Sequence, residues 1–163
     1  MGAGRIVATS RSPGSADELL ASGADSFVAT GDQDGLADRF QREIEAGVDI
    51  VLDYVWGASA EAFMEAATGH GSGQAARRIR FVNIGSLGGA EITLPAAAVR
   101  SSGLELIGSG LGSVSHESLV RSVAGVLEAA GPAGLQVEVD AVPLAEVERA
   151  WDSGTDARTV FTI

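Results

Sequence analysis

Short apolar runs rich in valine and isoleucine alternate along the chain with helical stretches that carry one apolar face. Near-continuous apolar strands separated by such helices indicate a parallel sheet covered on both faces. No repeat, linker or low-complexity tract interrupts the pattern, so we expect one domain over residues 1–163. The predicted strands are Arg5–Thr9, Ser26–Ala29, Val48–Val55, Arg80–Ile84, Leu104–Ile107, Val137–Val142 and Thr159–Ile163.

Helix boundaries follow from capping residues and from apolar residues that recur every three or four positions. Ser15 and Glu18 stand at the spacing of a capping box, in which each side chain satisfies a free amide of the first turn. Serine also precedes two later helices, and glycine follows most of them, as is typical of helix ends. The predicted helices span about Ser15–Ala21, Leu36–Gly47, Ser59–Gly69, Ser115–Gly131 and Leu144–Trp151.

Composition excludes several classes of function. The net charge of −11 argues against a nucleic-acid partner, which a basic surface would have to bind. The cluster Arg77, Arg78 and Arg80 is interpreted as a solvated loop. With no cysteine and only two histidines, His70 and His116, we expect no metal site. No signal peptide or long apolar run is present, so we expect no membrane partner and a cytoplasmic protein.

The most pointed candidate chemistry lies where the first predicted strand ends, at Ser10, Arg11 and Ser12. Ligands of open α/β sheets bind beyond the carboxyl ends of the strands. An NAD-selective site places Asp or Glu at this point, whereas a hydroxyl followed by a guanidinium suits a 2′-phosphate. The alternative is a solvent-facing turn in which Ser12 caps the next helix and Pro13 takes its first position.

Other candidate motifs favour structural roles. Asp53 ends a buried strand, and we expect its carboxylate to accept hydrogen bonds from amides of the following loop. Residues 71–76 match G-x-G-x-x-A, but they follow a helix instead of a strand, so we interpret them as an exposed loop. No serine or histidine stands in a nucleophile motif, and the catalytic residues stay unassigned.

Several runs stand in a recognisable order along the chain: Ile6–Ser12, Glu18–Asp25, Gly47–Gly57, Phe81–Gly89, Pro143–Trp151 and Arg158–Ile163. In this order they resemble the C-terminal cofactor-binding domain of medium-chain dehydrogenases/reductases. The resemblance implies an α/β, Rossmann-like, doubly wound and mostly parallel sheet. It also implies an N-terminal truncation, because the first strand, the first helix and the glycine-rich loop between them have no counterpart here.

The same resemblance implies an NADP(H)-dependent oxidoreductase of the quinone/alkenal reductase or alcohol dehydrogenase type, leaning toward the zinc-independent quinone oxidoreductase branch. Ser10, Arg11 and Ser12 would face the adenosine 2′-phosphate. The residues expected near the nicotinamide half are Val55, Ile84, Gly85 and Ser86. Because the family's catalytic domain and the pyrophosphate loop are absent, the small-molecule substrate would bind only in a full enzyme, and we expect the isolated chain to be inactive.

The absent strand would stand between Arg5–Thr9 and Val48–Val55. We therefore expect direct pairing of these two strands, an open cleft, or complementation by another chain. The family also suggests a homodimer through the edge strand Leu104–Ile107. Two other functions stay open: a non-catalytic α/β module that acts by oligomerisation, and a nucleoside-cofactor transferase such as a methyltransferase. An acidic residue in place of Ser10 would have favoured the transferase.

Overall fold

The protein divides into two compact units, Met1–Ser113 and Val114–Ile163, in a computed structural model that describes residues 2–68, 76–152 and 157–163. Helices and strands alternate in both units, and every hydrogen-bonded strand pair in these ranges is parallel. The α/β class and the parallel pairing expected from the apolar pattern are therefore confirmed. The assignment of residues 1–163 to one domain stays a prediction.

The first unit contains two separate parallel sheets, one of order β1-β2 and one of order β3-β4-β5. Val7 pairs with Ser26 in the first sheet, and Ile50 pairs with Arg80 in the second. Leu104 continues the second sheet by pairing with Ile79. The strands are β1 (Val7–Ser10), β2 (Ser26–Ala29), β3 (Ile50–Asp53), β4 (Ile79–Asn83) and β5 (Leu104–Gly108).

No strand pairing joins β1 to β3 in the described part of the chain. Each of these strands hydrogen-bonds on one edge only, β1 with β2 and β3 with β4. Of the three alternatives expected for these strands, direct pairing is therefore not the one observed, and an open cleft or complementation by another chain stays a prediction. The orders within the two sheets, β1-β2 and β3-β4-β5, agree with a doubly wound sheet that lacks the strand between β1 and β3.

Helix positions in the first unit agree with the spacing of apolar residues, but two predicted caps are wrong. Ser15 makes no capping hydrogen bond, because a short 3-10 turn, Pro13–Ser15, capped by Ser12 precedes the helix. Ser59 lies inside its helix and donates to the carbonyl of Trp56 at 3.3 Å. The helices are α1 (Ala16–Ala21), α2 (Leu36–Gly47), α3 (Gly57–Ala67) and α4 (Ala96–Arg100), the last of them not predicted; the expected end of α3 at Gly69 lies outside the described residues.

The core of the first unit lies on one face of the sheets, under α2 and α3. Phe63 of α3 packs between two other rings, with its centroid 5.4 Å from that of Phe40 and 5.5 Å from that of Phe81. Val28 of β2 belongs to the same buried cluster, so both sheets contribute to one core. Burial of these apolar side chains is the main stabilising term of the unit.

The opposite face of β3 is open to solvent. Side chains alternate along a strand, so Ile50, Leu52 and Tyr54 share the face that does not meet α2 and α3. Their exposed fractions are 57%, 65% and 57%. Within the described residues of the first unit, α2 and α3 pack on the other face of the sheet, so the apolar pattern identified a strand here but not what packs against it.

The second unit consists of one long helix and a two-stranded parallel sheet. Ser115 caps the helix, accepting a hydrogen bond from the amide of Ser118 at 3.2 Å as its position predicted. The helix buries none of its residues completely, while Val142 and Ala150 are buried in this unit. The elements are α5 (His116–Ala130), β6 (Val139–Pro143), a 3-10 turn (Leu144–Glu146), α6 (Val147–Ala150) and β7 (Arg158–Thr162).

Candidate functional site

The carboxyl end of β1 carries a cluster of serine hydroxyls. Ser10 is the last residue of the strand, and its Oγ lies 3.3 Å from the Oγ of Ser15 and accepts from the amide of Ser12 at 3.3 Å. The hydroxyl of Ser12 in turn accepts from the amide of Gly14 at 3.2 Å. The capping role that the sequence suggested for Ser12 is thus present. Ser15 contacts Ser10 instead of capping its own helix.

Arg11 stands between these serines with its backbone held and its side chain free. The guanidinium makes no hydrogen bond or ion pair within residues 2–68, 76–152 and 157–163, and the residue is exposed. The segment after β2 supports its backbone, because the amide of Thr30 donates to the carbonyl of Ser10 at 2.9 Å. A β-carbon at Gly31 would lie 2.3 Å from the carbonyl oxygen of Arg11, so only glycine fits there. The arrangement presents a cation and hydroxyls that can take an anion.

Arg39, on the first turn of α2, has a structural role that was not predicted from the sequence. Its guanidinium donates to three backbone carbonyls of the segment that supports Arg11. The one sequence feature that could have indicated this role is the position of Arg39, four residues after the turn-forming run Gly31–Gly35. Such a signal is weak, because a solvated helix face also carries arginine.

A second group of candidate residues lies where β3 and β4 end. The carboxylate of Asp53 is buried, with its Oδ1 accepting from the amide of Val55 at 3.0 Å and its Oδ2 from that of Trp56 at 3.0 Å. These bonds end the strand at Asp53, two residues earlier than the apolar run predicted. The structural role expected for this carboxylate is confirmed.

Backbone contacts bring the loop after β3 against the loop after β4. The carbonyl of Asp53 accepts from the amide of Ile84 at 2.7 Å, and a β-carbon on Gly85 would lie 2.7 Å from the carbonyl oxygen of Tyr54. Val55, Ile84 and Gly85 are half-buried here, and Ser86 is exposed. The structure therefore places these four candidates together at one end of the sheet.

The candidate residues thus form two groups. Ser10, Arg11 and Ser12 share the end of β1, and the other four share the ends of β3 and β4. No hydrogen bond in the described ranges joins the groups, since the two sheets to which they belong are not paired. Both groups lie at the carboxyl ends of parallel strands, which is where α/β sheets bind ligands.

The arginine cluster, the histidines and the G-x-G-x-x-A run are the other features that the sequence singled out. Arg77 pairs with Asp49 at 3.2 Å, while Arg78 and Arg80 share Glu105 at 3.1 and 3.4 Å, so each arginine of this cluster has an acidic partner. His116 is an exposed residue of the first turn of α5. His70 and residues 71–75, which include nearly all of the G-x-G-x-x-A run, lie outside the described residues.

Metal-ligating side chains and the lengths of the helices complete the description of residues 2–68, 76–152 and 157–163. No group of three or more His, Cys, Asp or Glu side chains there could hold a metal ion. Every helix in those ranges is too short or too polar to pass through a bilayer.

No protein-family model matches this chain, and no curated protein matches it either. Solved structures do match. The crystal structure of AibC superposes with a TM-score of 0.70 and 24% identity, over 97% of this chain and 42% of that one. A putative NADPH:quinone reductase from Mesorhizobium loti superposes with a TM-score of 0.66 and 19% identity, over 98% of this chain and 46% of that one. The quinone oxidoreductase from Thermus thermophilus, described also in complex with NADPH, superposes with a TM-score of 0.61 and 23% identity. The match covers 90% of this chain and 44% of that one.

The chain thus spans less than half the length of the proteins it matches. Alcohol dehydrogenases are among them too, including a cinnamyl alcohol dehydrogenase from Sorghum bicolor with a TM-score of 0.61 and 24% identity. The likeness to medium-chain dehydrogenases/reductases inferred from the order of the sequence motifs is confirmed in the fold. Over 90–98% of its length, the chain matches structures of quinone oxidoreductases and alcohol dehydrogenases, whose α/β fold it shares.

Proposed function

We propose that this chain is the nicotinamide-cofactor-binding part of an NADP(H)-dependent oxidoreductase of the quinone/alkenal reductase or alcohol dehydrogenase type. In such an enzyme the cofactor supplies or accepts the hydride, and the protein binds and orients it. The small-molecule substrate would be held by parts of the enzyme that this chain does not contain. We expect the chain alone to bind cofactor weakly and to catalyse little, because positioning of both reactants is the missing contribution.

The observation that carries the proposal is that Arg11, whose guanidinium has no partner in the described ranges, stands between Ser10 and Ser12 in the turn after β1. A 2′-phosphate offers Arg two parallel charge-assisted hydrogen bonds, and the neutral serines do not repel it as a carboxylate would. The structural neighbours support this choice, since several of them are described as NADPH complexes. The same neutral position at Ser10 speaks against a transferase, whose strand would end in an acidic residue.

The second group of residues suits the nicotinamide half. Gly85 and Ser86 lie two and three residues beyond the end of β4, and the backbone of Gly85 lies against that of Tyr54 with no side chain between them. Val55 and Ile84 present half-buried apolar side chains, against which a flat ring can pack. The sequence contains no G-x-G-x-x-G run between a strand and a helix, so the pyrophosphate lacks the turn that this motif supplies.

Ligands that lack the pyrophosphate bridge test the proposal most directly. Calorimetric titration would compare adenosine 2′,5′-bisphosphate with 5′-AMP, which differ by the 2′-phosphate alone. We expect the bisphosphate to bind about tenfold more tightly, equivalent to ~1.4 kcal/mol. Arg11→Ala should abolish the difference. Arg100→Ala, an exposed arginine at the end of α4, should keep it.

The outcomes separate the rival functions. No binding of either ligand, or of NADPH, at millimolar concentration would favour the non-catalytic module that acts by oligomerisation. Equal binding of both ligands would remove the preference for the phosphorylated cofactor and leave a nucleotide-binding role. We also propose that the chain forms a homodimer through β5, which has β4 on one side and no described strand on the other.

A further inference from the structure

Arg39 reaches back from α2 to both ends of the segment that joins β2 to α2, whose other side-chain bonds are local ones, from Gln33 to the carbonyl of Thr30 and from the amide of Asp34 to Asp32. Arg39 donates from Nη1 to the carbonyl of Asp34 at 2.8 Å and from Nη2 to that of Asp32 at 2.6 Å. Nη2 also lies 3.4 Å from the carbonyl oxygen of Ala29, the last residue of β2. A single planar guanidinium therefore fixes both ends of the segment 29–34, because its donors point in set directions.

The guanidinium of Arg39 contacts backbone carbonyls and forms no ion pair in the described part of the chain. No carboxylate lies within ion-pair distance of it in the described ranges. Its Nε is buried and has no hydrogen-bond partner there, which costs free energy. Arg39 thus keeps its full positive charge beside the segment and turns three carbonyl oxygens toward itself.

The same segment touches the residues assigned to the 2′-phosphate. The amide of Thr30 donates to the carbonyl of Ser10 at 2.9 Å, and Gly31 lies against the carbonyl of Arg11. A shift of the segment would therefore move the backbone of Ser10 and Arg11. It would also release carbonyl oxygens, whose partial negative charge repels an anion, near the phosphate site.

We propose that Arg39 is a specificity-determining positioning residue for the phosphorylated cofactor. It holds the segment 29–34 so that Arg11 and the serine hydroxyls stay in place to receive the 2′-phosphate, which lowers the ordering cost of binding. The inference rests on the proposed function, since it deepens the role given there to Ser10, Arg11 and Ser12. Arg39 itself need not touch the cofactor.

The experiment compares Arg39→Ala, Arg39→Lys and Arg42→Ala with the unmodified chain. Arg42 lies on the same helix, is exposed and makes no hydrogen bond or ion pair in the described ranges, so it serves as the matched control. The probes are adenosine 2′,5′-bisphosphate and 5′-AMP, titrated by calorimetry. Thermal unfolding followed by circular dichroism shows whether each variant is folded at the titration temperature.

We expect Arg39→Ala to weaken the binding of the bisphosphate about tenfold and that of 5′-AMP less than twofold. Arg39→Lys, which keeps the charge and fewer of the hydrogen bonds, should recover part of the loss, and Arg42→Ala should match the unmodified chain. If both ligands weaken equally, or neither changes while the Tm falls, Arg39 only stabilises the fold and the inference is overturned. If the unmodified chain itself shows no preference for the bisphosphate, the cofactor assignment has failed instead.

Discussion

Gly31 lies so close to Arg11 that a β-carbon on the glycine would stand 2.3 Å from the carbonyl oxygen of the arginine. The two residues are twenty positions apart in sequence, and they meet because β1 and β2 pair in parallel with Ser10 opposite Ala29. Strand pairing thus places the loop after β2 directly against the residues that end β1. A side chain larger than hydrogen at position 31 should therefore disturb the backbone that ends β1.

Gly31→Ala should destabilise the first unit by about 1–3 kcal/mol, since the new methyl group must displace backbone. The free energy of unfolding in urea measures the loss. Gly4→Ala is the control, because a β-carbon at Gly4 meets nothing within 4 Å, and its effect should stay within about 0.5 kcal/mol. Equal effects at the two positions would contradict the close contact.

Asp53→Ala should cost about 1.5–3 kcal/mol, because the buried carboxylate accepts charge-assisted hydrogen bonds from the amides of Val55 and Trp56. Asp53→Asn keeps an acceptor oxygen and should lose less. Asp49→Ala breaks only an exposed ion pair with Arg77 and should change the unfolding free energy by less than about 1 kcal/mol. A Asp53→Ala variant as stable as the Asp49→Ala variant would refute the assigned role.

Phe81→Ala should destabilise by about 3–5 kcal/mol, because Phe81 is among the most deeply buried side chains and packs against the rings of Phe63 and Trp56. Chemical denaturation monitored by tryptophan fluorescence reports the change. Leu87→Ala removes a side chain that is 89% exposed and should leave stability almost unchanged. A small loss at Phe81 would mean that the core of the first unit lies elsewhere.

Ile107→Lys should reduce self-association, because a lysine on β5 would meet its symmetry mate if two copies joined their β5 edges. Ile107 is 43% exposed, so the substitution should not unfold the chain. Sedimentation velocity over a range of concentrations measures the dimer fraction. Val99→Lys, at an exposed position of α4, is the control; a dimer that tolerates lysine at 107 would exclude the β5 interface.

Local patterns predicted those features that neighbouring residues decide. The spacing of Leu36, Phe40 and Ile44 gave the helix that ends at Gly47, and Ser115 gave the start of α5, because helix hydrogen bonds and caps span only a few residues. The bonds from Asp53 to the next loop were expected for the same reason. These predictions needed no knowledge of the rest of the fold.

Contacts that depend on how the chain turns after β1, or on how distant segments pack, could not be predicted from the same patterns. Ser15 has the sequence environment of a helix cap, yet its hydroxyl lies beside that of Ser10, which the turn after β1 brings within reach. The contacts of Gly31 with Arg11, and of Arg39 with the loop carbonyls, depend on how β1, β2 and α2 pack. Apolar residues at 50 and 52 indicate a strand equally well whether or not a helix covers them.

The sequence by itself therefore determined the class of fold, the order of its elements and the chemical types available at the strand ends, since periodicity and capping are local properties. Only the tertiary structure decided that, among the described residues, β1 and β3 do not pair, Ile50 and Leu52 of β3 are exposed, and the guanidinium of Arg11 has no partner. The physical reason is that strand pairing and burial depend on which distant residues meet. Apolar pattern specifies that a surface is to be buried, and packing alone selects its partner.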